Sequence, residues 1–255
     1  MNMVSLVIIA LWVIASALIL IFAGLGVDTT LRFYYSNSLQ ILSPILSAFF
    51  CYQAAASFPT GNPMRKVWKL IGTGILAWGI GAILYVSYPL LHHGAETPYP
   101  YYSDAAYLCL VPLVVTGLFL FKKSVGIVSP LWGKIVAILL FMAGLYISTI
   151  ANWEGIFKEE IIVRLVSASY MLFDPFLLMV VLLVASGLQG GATAEAWWYV
   201  LAGLVLYFIG DQAYTYLVFT EQYTSGSPID IFWVLGFGII AVAAMMTRSL
   251  FKGAG

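Results

Sequence analysis

MVSLVIIALWVIASALILIFAGL, which occupies residues 3–25, contains no charged side chain and no proline. A helix needs about 20 consecutive apolar residues to cross the hydrocarbon core of a bilayer, so this stretch is long enough to span a membrane. No basic segment precedes it, and no small-residue cleavage site separates it from a soluble part. We therefore interpret it as a first transmembrane helix and not as a secretory signal peptide.

The rest of the chain has a similar composition. Hydrophobic residues make up 62% of the 255 residues, charged residues make up 9%, and the mean hydropathy is +0.99. Soluble domains carry roughly 25% charged residues, so this chain cannot form a soluble surface. We predict an all-α membrane protein in which residues 1–255 form a single transmembrane domain, a bundle of eight transmembrane helices. The predicted spans are 3–25, 39–57, 67–91, 104–121, 131–150, 162–188, 196–219 and 229–251.

Lysine and arginine residues are distributed unevenly between the two ends of these spans. Arg32, Lys158 and Arg164 lie at the poorer end. Because cytoplasmic loops are enriched in lysine and arginine, the richer end is predicted to be cytoplasmic, which places both termini inside the cell. The formal net charge is +0 and no dense basic run occurs, which argues against a nucleic-acid partner. The residues at the richer end are Arg65, Lys66, Lys69, Lys122, Lys123, Lys134, Arg248 and Lys252.

A short pattern occurs once in each half of the chain. Gly81 and Tyr85 in the third predicted span match Gly210 and Tyr214 in the seventh. An outer loop with proline follows each pair, and an aspartate then stands at the head of the next span. Four spans per half make the two halves parallel, related by an axis along the membrane normal. We therefore expect a 4+4 parallel repeat, with chance similarity between apolar helices as the alternative.

Asp174 and Asp211 lie inside predicted spans. An ionised carboxylate there costs roughly 2.5–3.5 kcal/mol on insertion scales unless it is paired, protonated or facing a wet interior. Tyr170 shares a helix face with Asp174, and Tyr207 and Tyr214 share a face with Asp211. We predict that these five residues form an interior ligand-binding site, in which neighbouring carboxyl groups can share a proton. The alternative is that each aspartate only bonds to a neighbouring helix.

Asp104 and Asp230 stand at the heads of the fourth and eighth predicted spans. We predict that they form the outer rim of the same site, together with Tyr107 and Trp233. A carboxylate in the first turn of a helix also satisfies unpaired backbone amides and the positive end of the helix dipole. That structural role is the alternative for both acids.

Two stretches carry a resemblance to a known family. They are PYPYYSDAAYL at residues 98–108 and GDQAY at residues 210–214, the latter followed by Asp230 and Trp233. They resemble the multi-span membrane sensory region that precedes the catalytic domain of many bacterial diguanylate cyclases and related signalling proteins. Tyr101 and Ser103 replace the serine and alanine usual in that motif. The likeness covers about residues 65–250.

This resemblance implies a membrane sensor. The Gly-Gly-Asp-Glu-Phe signature of the cyclase domain occurs nowhere in the chain. We therefore expect the sensory part alone, either free-standing or with its output partner on a separate chain.

The favoured function is a non-catalytic sensory or ligand-binding module. Its expected partners are membrane lipids, a small or lipophilic ligand and a cytoplasmic signalling partner, and no cofactor is expected. A small-molecule or proton-coupled transporter is the alternative, since interior acids and a repeat are typical of that class. Cys51 and Cys109 lie in apolar runs, so we interpret both as buried structural cysteines and expect neither a disulfide nor a metal site.

A third function, an intramembrane enzyme, has one local signal. Glu159, Glu160 and Arg164 have the Glu-Glu-x-x-x-Arg spacing of CAAX-type intramembrane proteases. Those enzymes also need a histidine in a later span, whereas His92 and His93 precede the motif. The simpler interpretation is an interfacial ion pair one helical turn apart.

Overall fold

The computed structural model describes residues 3–188, 190 and 192–251, so Lys252 lies outside the described residues. All regular structure in this part of the chain is helical. The helices are α1 (Met3–Gly24), α2 (Thr29–Ala56), α3 (Pro63–Leu91), α4 (Tyr102–Leu108), α5 (Leu110–Val125), α6 (Leu131–Ile156), α7 (Ile161–Ala185), α8 (Ala192–Phe219) and α9 (Ile231–Phe251), with a 3-10 turn at Pro228–Asp230.

Within the described residues, eight helical segments are long and apolar enough to cross a membrane, with α4 and α5 forming one segment, Tyr102–Val125. The prediction of an all-α protein with eight such segments is confirmed. Apolar runs of this length form helices because a helix satisfies all its backbone hydrogen bonds internally, where lipid offers none.

The beginning of the second span was predicted wrongly. Helix α2 begins at Thr29, well before residue 39, and the Asp28 carboxylate accepts hydrogen bonds from the amides of Thr30 (2.9 Å) and Leu31 (3.1 Å). Polar residues such as Ser36 and Asn37 lower the hydropathy of the first turns. These polar residues are buried against other helices, so hydropathy alone does not mark where this helix begins.

The interior of the bundle is built around α3, which packs against α2 and α5, while α9 packs against α8 and α2. Helix α7 packs against α5, α6 and α8. Of the spanning segments, α1 and α6 are the least buried, so they lie at the periphery. The core extends from Trp68 and Trp197 at one end to Tyr207 and Trp233 toward the other.

Glycines allow two pairs of core helices to approach closely. A Cβ atom on Gly203 would lie 2.5 Å from the carbonyl oxygen of Gly236, so α8 and α9 touch through their backbones. A Cβ atom on Gly74 would lie 3.0 Å from the carbonyl oxygen of Leu110, where α3 meets α5. Small residues at such crossings permit the close packing that holds membrane helices together.

The two cysteines differ in their exposure. Cys51 is fully buried between α2 and α3, as predicted. Cys109 is exposed at the junction of α4 and α5, where its thiol donates to the carbonyl of Ala105 (3.2 Å), so the prediction that it is buried was wrong. An apolar environment in the sequence does not distinguish the core from the lipid-facing surface, since both are apolar.

Candidate functional site

Asp230 lies at the point where α9 meets α2. Its carboxylate accepts hydrogen bonds from the Ser36 hydroxyl (2.6 Å), the Gly226 amide (2.9 Å) and the Tyr223 hydroxyl (3.1 Å). Gln40, one turn beyond Ser36 on α2, donates to the Ser36 hydroxyl (3.2 Å). The side chain is 0% exposed, and its environment favours the structural alternative for this acid, a buried anchor of α9.

Asp104 joins α4 to α7. One of its oxygens accepts a hydrogen bond from the Tyr101 amide (2.7 Å), which is the helix-capping arrangement expected in a first turn. The other accepts one from the hydroxyl of Tyr170 (2.8 Å). Beside this contact the hydroxyls of Tyr99 and Ser167 lie 3.0 Å apart. Asp104 and Tyr170 are therefore brought together, although Tyr170 was predicted beside Asp174.

Asp211 joins α8 to α9. Its carboxylate accepts a hydrogen bond from the indole nitrogen of Trp233 (2.6 Å), and Tyr207 stands one helical turn earlier on α8. The Trp233 ring packs on Gly210, where an added Cβ would lie 2.9 Å from the indole nitrogen. The side chain of Gln212 is directed toward α6, where its oxygen accepts a hydrogen bond from the hydroxyl of Ser148 (3.2 Å).

Asp174 is buried in α7 directly before Pro175. Helices α7 and α8 are neighbours, so Asp174 and Asp211 lie on adjacent helices. Among the described residues no hydrogen-bond donor reaches the Asp174 carboxylate. On the other face of α7, Pro175 packs against Gly144 of α6, where an added Cβ would lie 3.3 Å from the proline ring.

Aromatic rings fill the space between these acids. Tyr214 is 5.7 Å from Trp233 and 4.7 Å from Tyr223, measured between ring centroids. Trp78 of α3 is 5.1 Å from Tyr107 and 6.0 Å from Trp233. The rings form a continuous wall from α4 to α9. We call the four aspartates together with these aromatic side chains and Tyr170 and Tyr207 the acidic–aromatic cluster.

Part of this cluster is accessible. Asp104, Asp211, Tyr107, Tyr170 and Tyr214 are half-buried, although they lie among helices from both halves of the chain. Asp174, Asp230, Tyr207 and Trp233 are buried. The half-buried members carry two carboxylates and three hydroxyls, and the buried members lie among the same helices.

The hydrogen-bond donors to Asp104, Asp211 and Asp230 in the described part of the chain are tyrosine, tryptophan, serine and backbone groups, with no lysine or arginine. The cluster is therefore rich in carboxyl groups and in aromatic faces. Both features favour a cation or a hydrogen-bond donor as ligand.

Sequence reasoning missed several residues that belong to the cluster or bond to it. Ser36 and Gln40 stand one turn apart on α2, and polar residues at that spacing within a span were an available signal. Trp78 had no signal, because a tryptophan in an apolar helix is typical of a core.

The protease-like motif lies away from this cluster. Glu159, Glu160 and Arg164 are all exposed where α7 begins, and Glu160 is the residue that precedes the helix. Within the described residues, no group of three or more histidine, cysteine, aspartate or glutamate side chains is arranged to hold a metal ion.

No protein-family model, curated protein or solved structure matches the chain. The resemblance to the sensory regions of diguanylate cyclases therefore stays a prediction.

Trp233→Phe tests the contact between α9 and Asp211. Phenylalanine keeps a ring against Gly210 but removes the indole N–H, so the half-buried Asp211 carboxylate loses this hydrogen bond and the free energy of unfolding should fall by about 1–2 kcal/mol. The measurement is denaturant unfolding of the purified protein in detergent. Trp132→Phe is the control, since Trp132 is 61% exposed. This variant should leave the free energy of unfolding unchanged. Equal losses of unfolding free energy in the two variants would contradict the hydrogen bond from Trp233 to Asp211.

Proposed function

We propose that this protein is a membrane sensory module that binds a small ligand at the acidic–aromatic cluster and moves α9. The observation that carries the proposal is the position of α9. Its beginning is bound to the cluster through Asp230 and Trp233, and the same helix continues to Arg248 at the opposite end. A ligand that favours one arrangement of the cluster therefore shifts the far end of α9 as well.

We infer that the far end is cytoplasmic, as are both termini. The support is the charge distribution: Arg65, Lys122 and Arg248, with the other described basic residues of the richer end, stand opposite the cluster. A shift of α9 then reaches the side where a signalling partner would act.

We also infer that the two halves are parallel repeats. Gly81 packs against Tyr107 as Gly210 packs against Trp233, and each aromatic residue stands three positions after its aspartate. The backbone crossing of α3 with α5 has its counterpart in that of α8 with α9. Packing of α2 on α9 likewise corresponds to packing of α7 on α5. An axis along the membrane normal accounts for these correspondences.

The ligand class follows from the cluster. Half-buried carboxylates beside tyrosine faces suit an organic cation such as a primary or quaternary ammonium compound. The resemblance to the sensory regions of diguanylate cyclases supports the same location, since Asp104, Asp211 and Asp230 fall within its motifs.

A fluorescent label at the end of α9 tests the proposal. Leu250→Cys in a Cys109→Ser background gives one accessible thiol among the described cysteines, because Cys51 is buried. The labelled protein in nanodiscs is titrated with tetramethylammonium and with primary alkylamines. We expect a saturable fluorescence change that Asp211→Asn weakens on the order of tenfold, the effect of losing about 1.4 kcal/mol of attraction.

Asp28→Asn is the matched control, because Asp28 is an exposed acid outside the cluster. It should leave the titration unchanged. No response to any of these cations in the labelled protein, or an equal loss with Asp28→Asn, would contradict the proposal.

A transporter is the second candidate, favoured by the two aspartates, Asp174 and Asp211, on the adjacent helices α7 and α8 and by Pro175 inside α7. Proline removes a backbone hydrogen bond and permits a bend beside the acids. Uptake of a labelled cation into proteoliposomes separates the two candidates, since a sensor moves nothing across the bilayer.

A further inference from the structure

A cavity lies at the end of the bundle opposite the acidic–aromatic cluster. It has a volume of about 480 Å³, within the range of roughly 300–1,000 Å³ that is typical of small-molecule sites. Its walls come from the ends of α2, α3, α5, α7, α8 and α9, so it lies between the two halves of the chain. We call it the basic-end cavity.

The walls of this cavity are mostly apolar. Phe121 stacks on Trp197 with ring centroids 3.5 Å apart, and Phe58 lies 4.8 Å from Phe251. Thr247 provides a hydroxyl in the wall, and its side chain has no hydrogen-bond partner among the described residues. Such a surface suits a hydrocarbon chain with a polar group near one end.

Three cations stand next to residues of the wall. Arg65 donates to the carbonyl oxygen of Phe58 (3.3 Å), and Lys122 donates to the hydroxyl of Ser129. Arg248 donates to the side-chain amide of Gln53, at the end of α2. Within the described residues the hydrogen-bond partners of all three cations are uncharged, so their charges can attract an anion.

We propose that the basic-end cavity binds an anionic amphiphile, with its acyl chain against Phe121, Trp197 and Phe251 and its charged head group near Lys122, Arg65 and Arg248. Basic pockets between transmembrane helices bind anionic lipid head groups for this reason. The inference is independent of the function proposed above, because the two sites share no residue. The head group belongs either to a free fatty acid or to an anionic phospholipid of the bilayer.

The test uses purified protein in nanodiscs of zwitterionic lipid. Oleate is added in one arm and phosphatidylglycerol is included in the other, and native mass spectrometry counts retained molecules while thermal unfolding measures stabilisation. We expect one retained anionic amphiphile and a raised unfolding temperature. Stabilisation by oleate alone identifies a fatty acid, and stabilisation by phosphatidylglycerol alone identifies a bilayer lipid.

Charge variants show whether the amphiphile occupies this cavity. Lys122→Gln combined with Arg248→Gln should weaken its binding by at least about tenfold, since each basic residue contributes to attraction of an anionic head group. Lys123→Gln combined with Lys66→Gln is the matched control, because both lysines are exposed at the same end of the bundle, and it should bind as the unaltered protein does.

A third variant tests the cavity itself. Thr247→Phe places a ring in the cavity and should abolish retention while leaving the charges in place. The proposal is overturned if neither oleate nor phosphatidylglycerol is retained by the unaltered protein. It is also overturned if the charge variant, its control and Thr247→Phe all bind equally.

Discussion

Replacing Gly203 by leucine should prevent α8 from packing on α9 and leave little folded protein. A Cβ at this position would lie 2.5 Å from the Gly236 carbonyl oxygen and 2.6 Å from the Cγ1 atom of Ile240. Overpacking in a core usually costs about 1–3 kcal/mol. The cost here should exceed about 3 kcal/mol, because the obstructing atom belongs to the backbone of the neighbouring helix and cannot rotate away.

Gly24→Leu is the matched control for this prediction. Gly24 is also helical, at the end of α1, and no atom lies within 4 Å of a Cβ added there. The fraction of monodisperse protein after detergent extraction and the free energy of unfolding are the two measurements. We expect both to fall for Gly203→Leu and neither to change for Gly24→Leu. Similar values for the two variants would show that the crossing of α8 and α9 is not close.

Asp230→Ala should produce the second large loss of stability. Removing this carboxylate leaves the hydroxyls of Ser36 and Tyr223 and the amide of Gly226 without their acceptor. Hydrogen bonds to a charged group contribute roughly 1.5–3 kcal/mol each, and donors left unpaired in a buried site are costly. We expect a loss of roughly 3 kcal/mol, measured by denaturant unfolding in detergent.

Asp28→Ala makes the same chemical change at an exposed helix end. Its carboxylate accepts from the amides of Thr30 and Leu31, which water can reach in the variant. The expected loss is about 1 kcal/mol, typical of a lost N-cap. If the two variants lose equal stability, the buried environment of Asp230 has no special role.

A combined variant tests whether Ser36 acts through Asp230. Ser36→Ala should be destabilising in the unaltered protein and much less so in the Asp230→Ala background, because the two side chains share one hydrogen bond. Strictly additive losses would argue against that bond.

The spanning helices could be predicted from the sequence because the bilayer leaves few alternatives. In lipid an unpaired backbone amide or carbonyl has no water to bind, so a long apolar run must form a helix. The prediction failed at the start of α2, where Ser36 and Asn37 lower the hydropathy although they are buried in the bundle. Hydropathy measures affinity for lipid, and these side chains contact protein.

The acidic residues of the candidate site could also be predicted from the sequence, since a carboxylate is costly in an apolar helix and so rarely occurs there without a partner. The partners of these acids could not be predicted. Ser36 bonds to Asp230 across 194 positions of the chain, and the hydroxyl of Tyr170 on α7 bonds to Asp104 on α4. Helical periodicity specifies which residues share a face of one helix. It does not specify which face of which other helix packs against them.

By itself, then, the sequence determined that the chain forms apolar helices long enough to cross a membrane and that a few carboxylates are carried within them. Only the tertiary structure decided that helices from both halves enclose those carboxylates, and that a cavity lined by aromatic rings lies beside the cations at the other end. The physical reason is that spanning length and side-chain polarity are local properties, whereas shared partners and enclosed volumes depend on close packing between residues far apart in the chain.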